Sequence, residues 1–346
     1  MGIDVENISL PKFEKEKYLE HGKKTYEMRE EVEKIADEVF AKGAKNIVLI
    51  GIGGTEFEMM AINYILKKYS TIDTSLYNAA DANTLHPRKI TKDTLVITAS
   101  ASGDTKEIIE ATHWIKETGA YVVAFTKKEG KLGKLVDVAI ESPGERLDQS
   151  YLLFNFFILK YLNNRGEFPE YTKFADQMKD IFIKMLPSKV AFDPTAEKLA
   201  KEYCKAPYTI FTGSGAAWGE TMMFAMCILE EMQWVRTRPV TSAQFFHGTL
   251  ELVEKGIPVV IVKGEDEYRV QDEDFCKLIG HEDVIVVDLA SFEVEGVDKE
   301  FRPLISPMLL TGLLTNRAAS YYETYTKHNL DYRRYIVSLI IRKGFA

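Results

Sequence analysis

Between Asn46 and Ile140, five short runs rich in strand-forming residues are each ended by glycine, serine or charged residues, and helical stretches alternate with them. The alternation predicts strands at Asn46–Ile50, Thr74–Tyr77, Thr94–Ala99, Tyr121–Phe125 and Val136–Ile140, with helices at Thr55–Lys68 and Thr105–Thr118. Strands joined by crossover helices run parallel, and such a sheet is covered on both faces. Ligands then collect at the carboxyl ends of the strands. The loops after Ile50 and after Ala99 both fall at such ends.

The rest of the chain repeats the theme. Residues 13–40 carry apolar side chains at helical spacing and predict one or two helices ending at Gly43. Helical segments at Leu147–Leu162 and Glu170–Met185 lead to Pro187 and Pro194, which mark a join. Beyond it come a helix at Ala196–Tyr203, a strand at Tyr208–Thr212, the turn Gly213-Ser214-Gly215, a long helix to about Trp234, and strands at Val259–Val262 and Asp283–Val287. We expect an α/β chain of two tandem α/β/α sandwich domains with parallel, flavodoxin-like sheets. Residues 1–188 are expected to form the N-terminal helix and a first domain, and residues 189–346 a second domain with a C-terminal tail.

At 346 residues and 46% apolar composition, the chain can fill the core that this layout requires. Its net charge of −8 and the lack of a basic stretch interleaved with aromatics argue against a nucleic-acid partner. Cys204, Cys227 and Cys276 are too far apart for a metal knuckle or a redox pair, and are expected to be buried, reduced thiols. Neither a leader-like start nor a membrane span is legible, so a cytoplasmic location is expected.

The loop Ala99-Ser100-Ala101-Ser102-Gly103-Asp104-Thr105 is the most chemically pointed segment. Ser100, Ser102 and Thr105 offer three hydroxyl donors, and Gly103 lets the backbone approach a ligand. The helix that follows turns its unpaired N–H groups toward the same place. A helix cap would account for Ser100 or Ser102, but not for all three hydroxyls. Nothing in the second half matches this pattern, and the loop after Val262, Lys-Gly-Glu-Asp-Glu, would repel a phosphate. One phosphate site per chain is expected.

The earlier loop Gly51-Ile52-Gly53-Gly54-Thr55 is not a dinucleotide fingerprint, because Glu56 stands where its third glycine belongs. Gly54 and Thr55 can still add donors to a ligand held by the serine loop, or the loop can be a tight turn. A second constellation pairs Glu231, on an apolar helix, with His247 in Phe245-Phe246-His247-Gly248. A carboxyl buried there would have its pKa raised toward a range useful for proton transfer. Read singly, Glu231 could equally be a solvated helix-end carboxylate, and His247 a structural histidine.

Taken together, Ser-x-Ser-Gly-x-Thr-x-Glu after a strand, the Gly-Gly-Thr loop, the duplicated architecture and the Glu231/His247 pair resemble the sugar isomerase (SIS) domain proteins. Glu231-Met232-Gln233-Trp234, Phe245-Phe246-His247-Gly248 and His328-Asn329-Leu330-Asp331-Tyr332-Arg333-Arg334-Tyr335 are most similar to the fructosamine 6-phosphate deglycases of the fructoselysine type. The resemblance implies a 6-phosphate held by Ser100, Ser102 and Thr105 with Gly54 and Thr55. It implies Glu231 and His247 as the catalytic pair, with the histidine supplied by the adjacent subunit of a homodimer or higher oligomer. It implies no metal and no cofactor. Gln244 stands where relatives carry glutamate, and Thr249 replaces a proline after His-Gly. Both put the geometry of the loop around His247 in question.

The implied reaction hydrolyses a phosphorylated Amadori product to glucose 6-phosphate and a free amino acid. Glu231 would carry the proton between C1 and C2, and His247 would open the ring or protonate oxygen, or the order is reversed. A glucoselysine 6-phosphate deglycase, an aminosugar-phosphate isomerase or deaminase, and a non-catalytic sugar-phosphate sensor remain alternatives. For the amine half of the substrate, Glu145 and Asp148 are candidate carboxylates near the pocket mouth. The tail Tyr332–Tyr335 either closes over the site or packs on the domain or a dimer partner.

Overall fold

The computed structural model describes residues 8–144, 148–272 and 283–335. Its first sheet contains β1 (Asn46–Gly51), β2 (Asp73–Asn78), β3 (Thr94–Ser100), β4 (Tyr121–Thr126) and β5 (Val138–Ile140), all parallel, in the order β2-β1-β3-β4-β5. The second contains β6 (Thr209–Gly213), β7 (Thr237–Thr241), β8 (Val259–Lys263) and β9 (Val284–Asp288), in the order β7-β6-β8-β9. That is the same flavodoxin-like winding, one strand shorter. The expected two-sheet α/β architecture is the one observed.

Alternation along the strands sorts the helices. Val48 and Ile50 of β1 point to one face, where they pack with Ile108, Ala111 and Ile115 of α5 (Lys106–Glu117). Ile47 and Leu49 point to the other face and join the main core. Helices contributing to that core include α2 (Arg29–Phe40), α3 (Gly54–Tyr69) and α7 (Asp148–Asn164). Phe211 of β6 and Val260 and Val262 of β8 belong to the same apolar cluster, so the two halves share one core. Helix α7, apolar around its whole circumference, packs against α2 and against a C-terminal helix, Arg302–Leu313.

Three departures have local causes. The prolines expected to mark a join lie inside a single helix, Leu186–Tyr203, and the boundary after residue 188 falls in its first turn. Pro187 there costs no hydrogen bond, and the bond missing at Pro194 is outweighed by burial of Phe192, Ala196 and Leu199. The helix expected over Glu170–Met185 is two, Tyr171–Gln177 and Ile181–Lys184, because Asp180 takes a left-handed φ of 59°. Strand β7 was not expected at all. Its Pro239 lies at the sheet edge, where no partner needs the missing N–H.

Candidate active site

Strand β1 pairs with both β2 and β3, so the loops that follow β1 and β3 lie side by side at the point where strand order reverses. This is where ligands of such sheets bind. Gly53 reaches a φ of 54° and a ψ of −130°, a combination that a Cβ would oppose, and it starts α3. Thr55 exchanges hydrogen bonds with Ile52, donating to its carbonyl (3.0 Å) and accepting from its N–H (3.1 Å). Its hydroxyl therefore shapes the loop.

The serine loop is wired internally. Ser100 Oγ, buried, lies 2.8 Å from Thr105 Oγ1 and accepts the Gly103 N–H at 3.1 Å. Ser102, exposed, accepts the Asp104 N–H at 3.1 Å. Thr105 occupies the N-cap position of α5 but makes no capping bond. Neither serine plays the simple cap role. The amino end of α5 points into a ring of hydroxyls, with Gly103 at φ 76° closing the turn.

A cleft of about 630 Å³ runs from these loops into the molecule. Gly54, Thr55, Ser102 and Thr105 line one end, and Glu231 lies along the wall. Five residues of one π-helical segment, Met223–Met232, face it: Met223, Cys227, Ile228, Glu231 and Met232. A second π-helical segment, Leu314–Ala318, brings Thr315 to the same cleft. Such widened turns often occur at functional sites. For the first of these segments the sequence predicts part of one continuous helix to about Trp234.

Glu231 is half-buried, not sealed in apolar surroundings. Its Oε1 accepts a hydrogen bond from Arg333 Nε at 2.8 Å. Two buried carboxyls, Glu58 and Glu220, also line the cleft, and the deeper of them, Glu220, was not singled out from the sequence. Tyr151 donates to one of its oxygens (2.8 Å) and Thr315 to the other (3.1 Å). Burial, reinforced by the charge of nearby Glu58, pushes its pKa up to about 8, and the hydroxyl bonds offset only part of this. Burial and the surrounding glutamates likewise push the Cys227 thiol up to about 12, so it remains protonated.

His247 is exposed and lines a separate recess with Arg238, Gln244 and Thr249. The structure does not bring it into the cleft of its own chain. Asp148 is not at a pocket mouth. It lies in the first turn of α7 without exposed surface, 3.6 Å from the equally buried Lys189. Burial pushes the acid up and the amine down, and their mutual attraction opposes both shifts. Its role is internal to the fold. Glu145 lies outside the described residues.

The motif Glu231-Met232-Gln233-Trp234 is where the tail docks. Gln233 donates to the His328 carbonyl at 2.9 Å and accepts from Thr326 Oγ1 at 2.6 Å. Trp234, at φ 56°, packs against the tilted ring of His328 and lies under the guanidinium of Arg334.

Residues 42–153 match the family model described as SIS domain. That stretch of the chain is similar to SIS domains. The matched segment contains the serine loop and the Gly54-Thr55 turn, and stops short of Glu231 and His247. Fructosamine deglycase FrlB of Bacillus subtilis (strain 168) is 27% identical over 324 residues, covering 90% of this chain and 97% of that one. Fructoselysine 6-phosphate deglycase of Escherichia coli O157:H7 is 22% identical over 320 residues, covering 89% and 90%. A crystal structure of a Bacillus subtilis protein described as a phosphosugar isomerase superposes with a TM-score of 0.83 at 24% identity, over 89% of this chain and 96% of its own. Among the described residues, no helix of the chain is long and apolar enough to cross a membrane.

Proposed function

We propose that this chain is a fructosamine 6-phosphate deglycase that cleaves a phosphorylated Amadori product of the fructoselysine type with water, giving glucose 6-phosphate and a free amine. The observation that carries the reading is the single cleft joining the hydroxyls of Ser102 and Thr105 to the carboxylate of Glu231. Relatives named as deglycases at 27% and 22% identity support the same chemistry.

The hydroxyls and the amino end of α5 hold the 6-phosphate, with Gly54 and Thr55 beside them, and the open-chain sugar extends along the cleft. The C2 ketone acidifies the hydrogens on C1. Glu231 removes one of these protons as the ketone oxygen gains one, leaving an enaminol. Returning the proton to C2 converts the C1–N bond to an imine. Water adds to C1, and as the C–N bond breaks its oxygen becomes the C1 aldehyde while both of its hydrogens pass to the departing amine. Each positioned proton carrier contributes ~10²–10⁴-fold. His247 would act from the adjacent subunit of a homodimer, opening the ring or protonating oxygen, in keeping with its exposure away from its own cleft.

Incubation with the 6-phosphates of fructoselysine, fructose-asparagine and glucoselysine, read by product sugar and released amine, tests the reading. Glucose 6-phosphate and lysine from the first substrate are expected. Fructose 6-phosphate from glucoselysine 6-phosphate alone would reassign the substrate, and ammonia from glucosamine 6-phosphate alone would reassign the reaction.

A further inference from the structure

A second recess, of about 680 Å³, begins at the same carboxylate that lines the catalytic cleft. Glu231 borders both. A sugar anchored by its phosphate on Ser102 and Thr105, with C1 at Glu231, has its amine on the far side of C1. The second recess opens there.

That recess is basic where a ligand would meet it. Arg236, Arg333 and Arg334 line it together with Glu230, Glu231 and Trp234. Arg333 is engaged by Glu231 at 2.8 Å. Glu230 accepts from the Thr237 hydroxyl at 2.6 Å. Among the described residues, no ion pair involves Arg236 or Arg334. Arg334 lies 3.9 Å above the Trp234 ring, a contact that fixes the guanidinium while leaving its N–H fork to face a ligand. A guanidinium fork matches a carboxylate in shape as well as charge.

We infer that this recess receives the carboxylate of the amino acid carried by the sugar, and thereby selects ketoamines of amino acids over ketoamines of plain amines. The inference rests on the deglycase reading for the direction in which the ligand lies. Arg236 and Arg334 take the carboxylate. Glu230 stands in the same recess as a counterpart for the α-ammonium group. Arg333 remains with Glu231 as a positioning residue.

The test uses two uncleavable ligands in which the C2 ketone is reduced to an alcohol, one bearing lysine and the other its decarboxylated counterpart, both with the 6-phosphate intact. Each is titrated calorimetrically into the full-length protein and into the Arg236→Gln/Arg334→Gln variant, whose melting curve is recorded alongside. Both side chains are exposed, so the variant should fold. The unmodified protein should bind the lysine ligand at least ~10-fold more tightly, and the variant should reduce that difference to ~3-fold or less. Equal affinities in the unmodified protein, or an undiminished difference in the folded variant, would overturn the inference. Turnover of the parent ketoamine is measured separately. If the parent is not cleaved while the carboxylate dependence holds, the deglycase reading fails and the carboxylate recess stands.

Discussion

Arg333 Nε stands 2.8 Å from Oε1 of Glu231, so the tail bears directly on the carboxylate proposed to move the proton. Gln233 and Trp234 hold the same tail through His328 and Arg334, which makes the Glu231–Trp234 segment and the tail one structural unit.

Removing the arginine should therefore affect chemistry more than folding. For Arg333→Gln we expect kcat to fall ~10-fold or more through loss of carboxylate orientation, with KM changed by less than ~3-fold. The pair is partly exposed, at 19% and 37% for the two side chains. Its contribution to stability should be under ~1 kcal/mol. Steady-state kinetics and a denaturant titration separate the two effects.

Ser100 and Ser102 should differ in what they lose. Ser100→Ala leaves the Gly103 N–H and the Thr105 hydroxyl without their buried partner, and should cost ~1–3 kcal/mol of stability as well as phosphate affinity. Ser102→Ala, at an exposed position, should weaken glucose 6-phosphate binding ~10-fold while its stability changes by under ~0.5 kcal/mol. Calorimetric titration and melting curves of both variants make the comparison, and matching losses in the two would contradict it.

Glu220 gives the fold a pH dependence of known sign. In the folded chain it keeps its proton to about pH 8, whereas an unfolded glutamic acid releases it near ~4.3. Between those values the folded state binds the extra proton, so stability falls as pH rises, at up to ~1.4 kcal/mol per unit, and levels off above the folded pKa. Glu220→Gln retains the shape but cannot ionise. Its unfolding free energy should decline less steeply across this window than that of the unmodified protein, and parallel slopes would refute the assignment.

Shared active sites can be read from mixed subunits. If Glu231 and His247 act across a dimer, co-expressing differently tagged Glu231→Gln and His247→Ala chains restores one intact site per heterodimer. Purified heterodimers should then show about half the normal rate per dimer although each parent is inactive. Inactive heterodimers would place both residues in the site of a single chain.

The elements of the first half were legible because their signals are local. Runs such as Leu95-Val96-Ile97 end at glycine or serine loops, and the structure places β1 to β4 within a residue of the expected bounds. The serine loop was legible for the same reason. Glu220 was not, because a carboxyl in a helix that is apolar on all sides leaves no periodic trace, and its partners Tyr151 and Thr315 come from distant segments. The pairing of Arg333 with Glu231 spans 102 positions and depends on a tail whose docking no local pattern encodes. The π-helical turns that present Met223, Cys227 and Glu231 to the cleft likewise follow from packing, since their residues alone read as an ordinary apolar helix.

Everything in the proposed reaction depends on Glu231 carrying the proton between the first two carbons of a phosphate-anchored sugar. Glu231→Gln should be assayed for lysine and glucose 6-phosphate release from fructoselysine 6-phosphate, with binding of the reduced, uncleavable analogue measured on the same preparation. Turnover should fall at least ~10²-fold, with affinity within ~5-fold of normal. Near-normal turnover in this variant would contradict it.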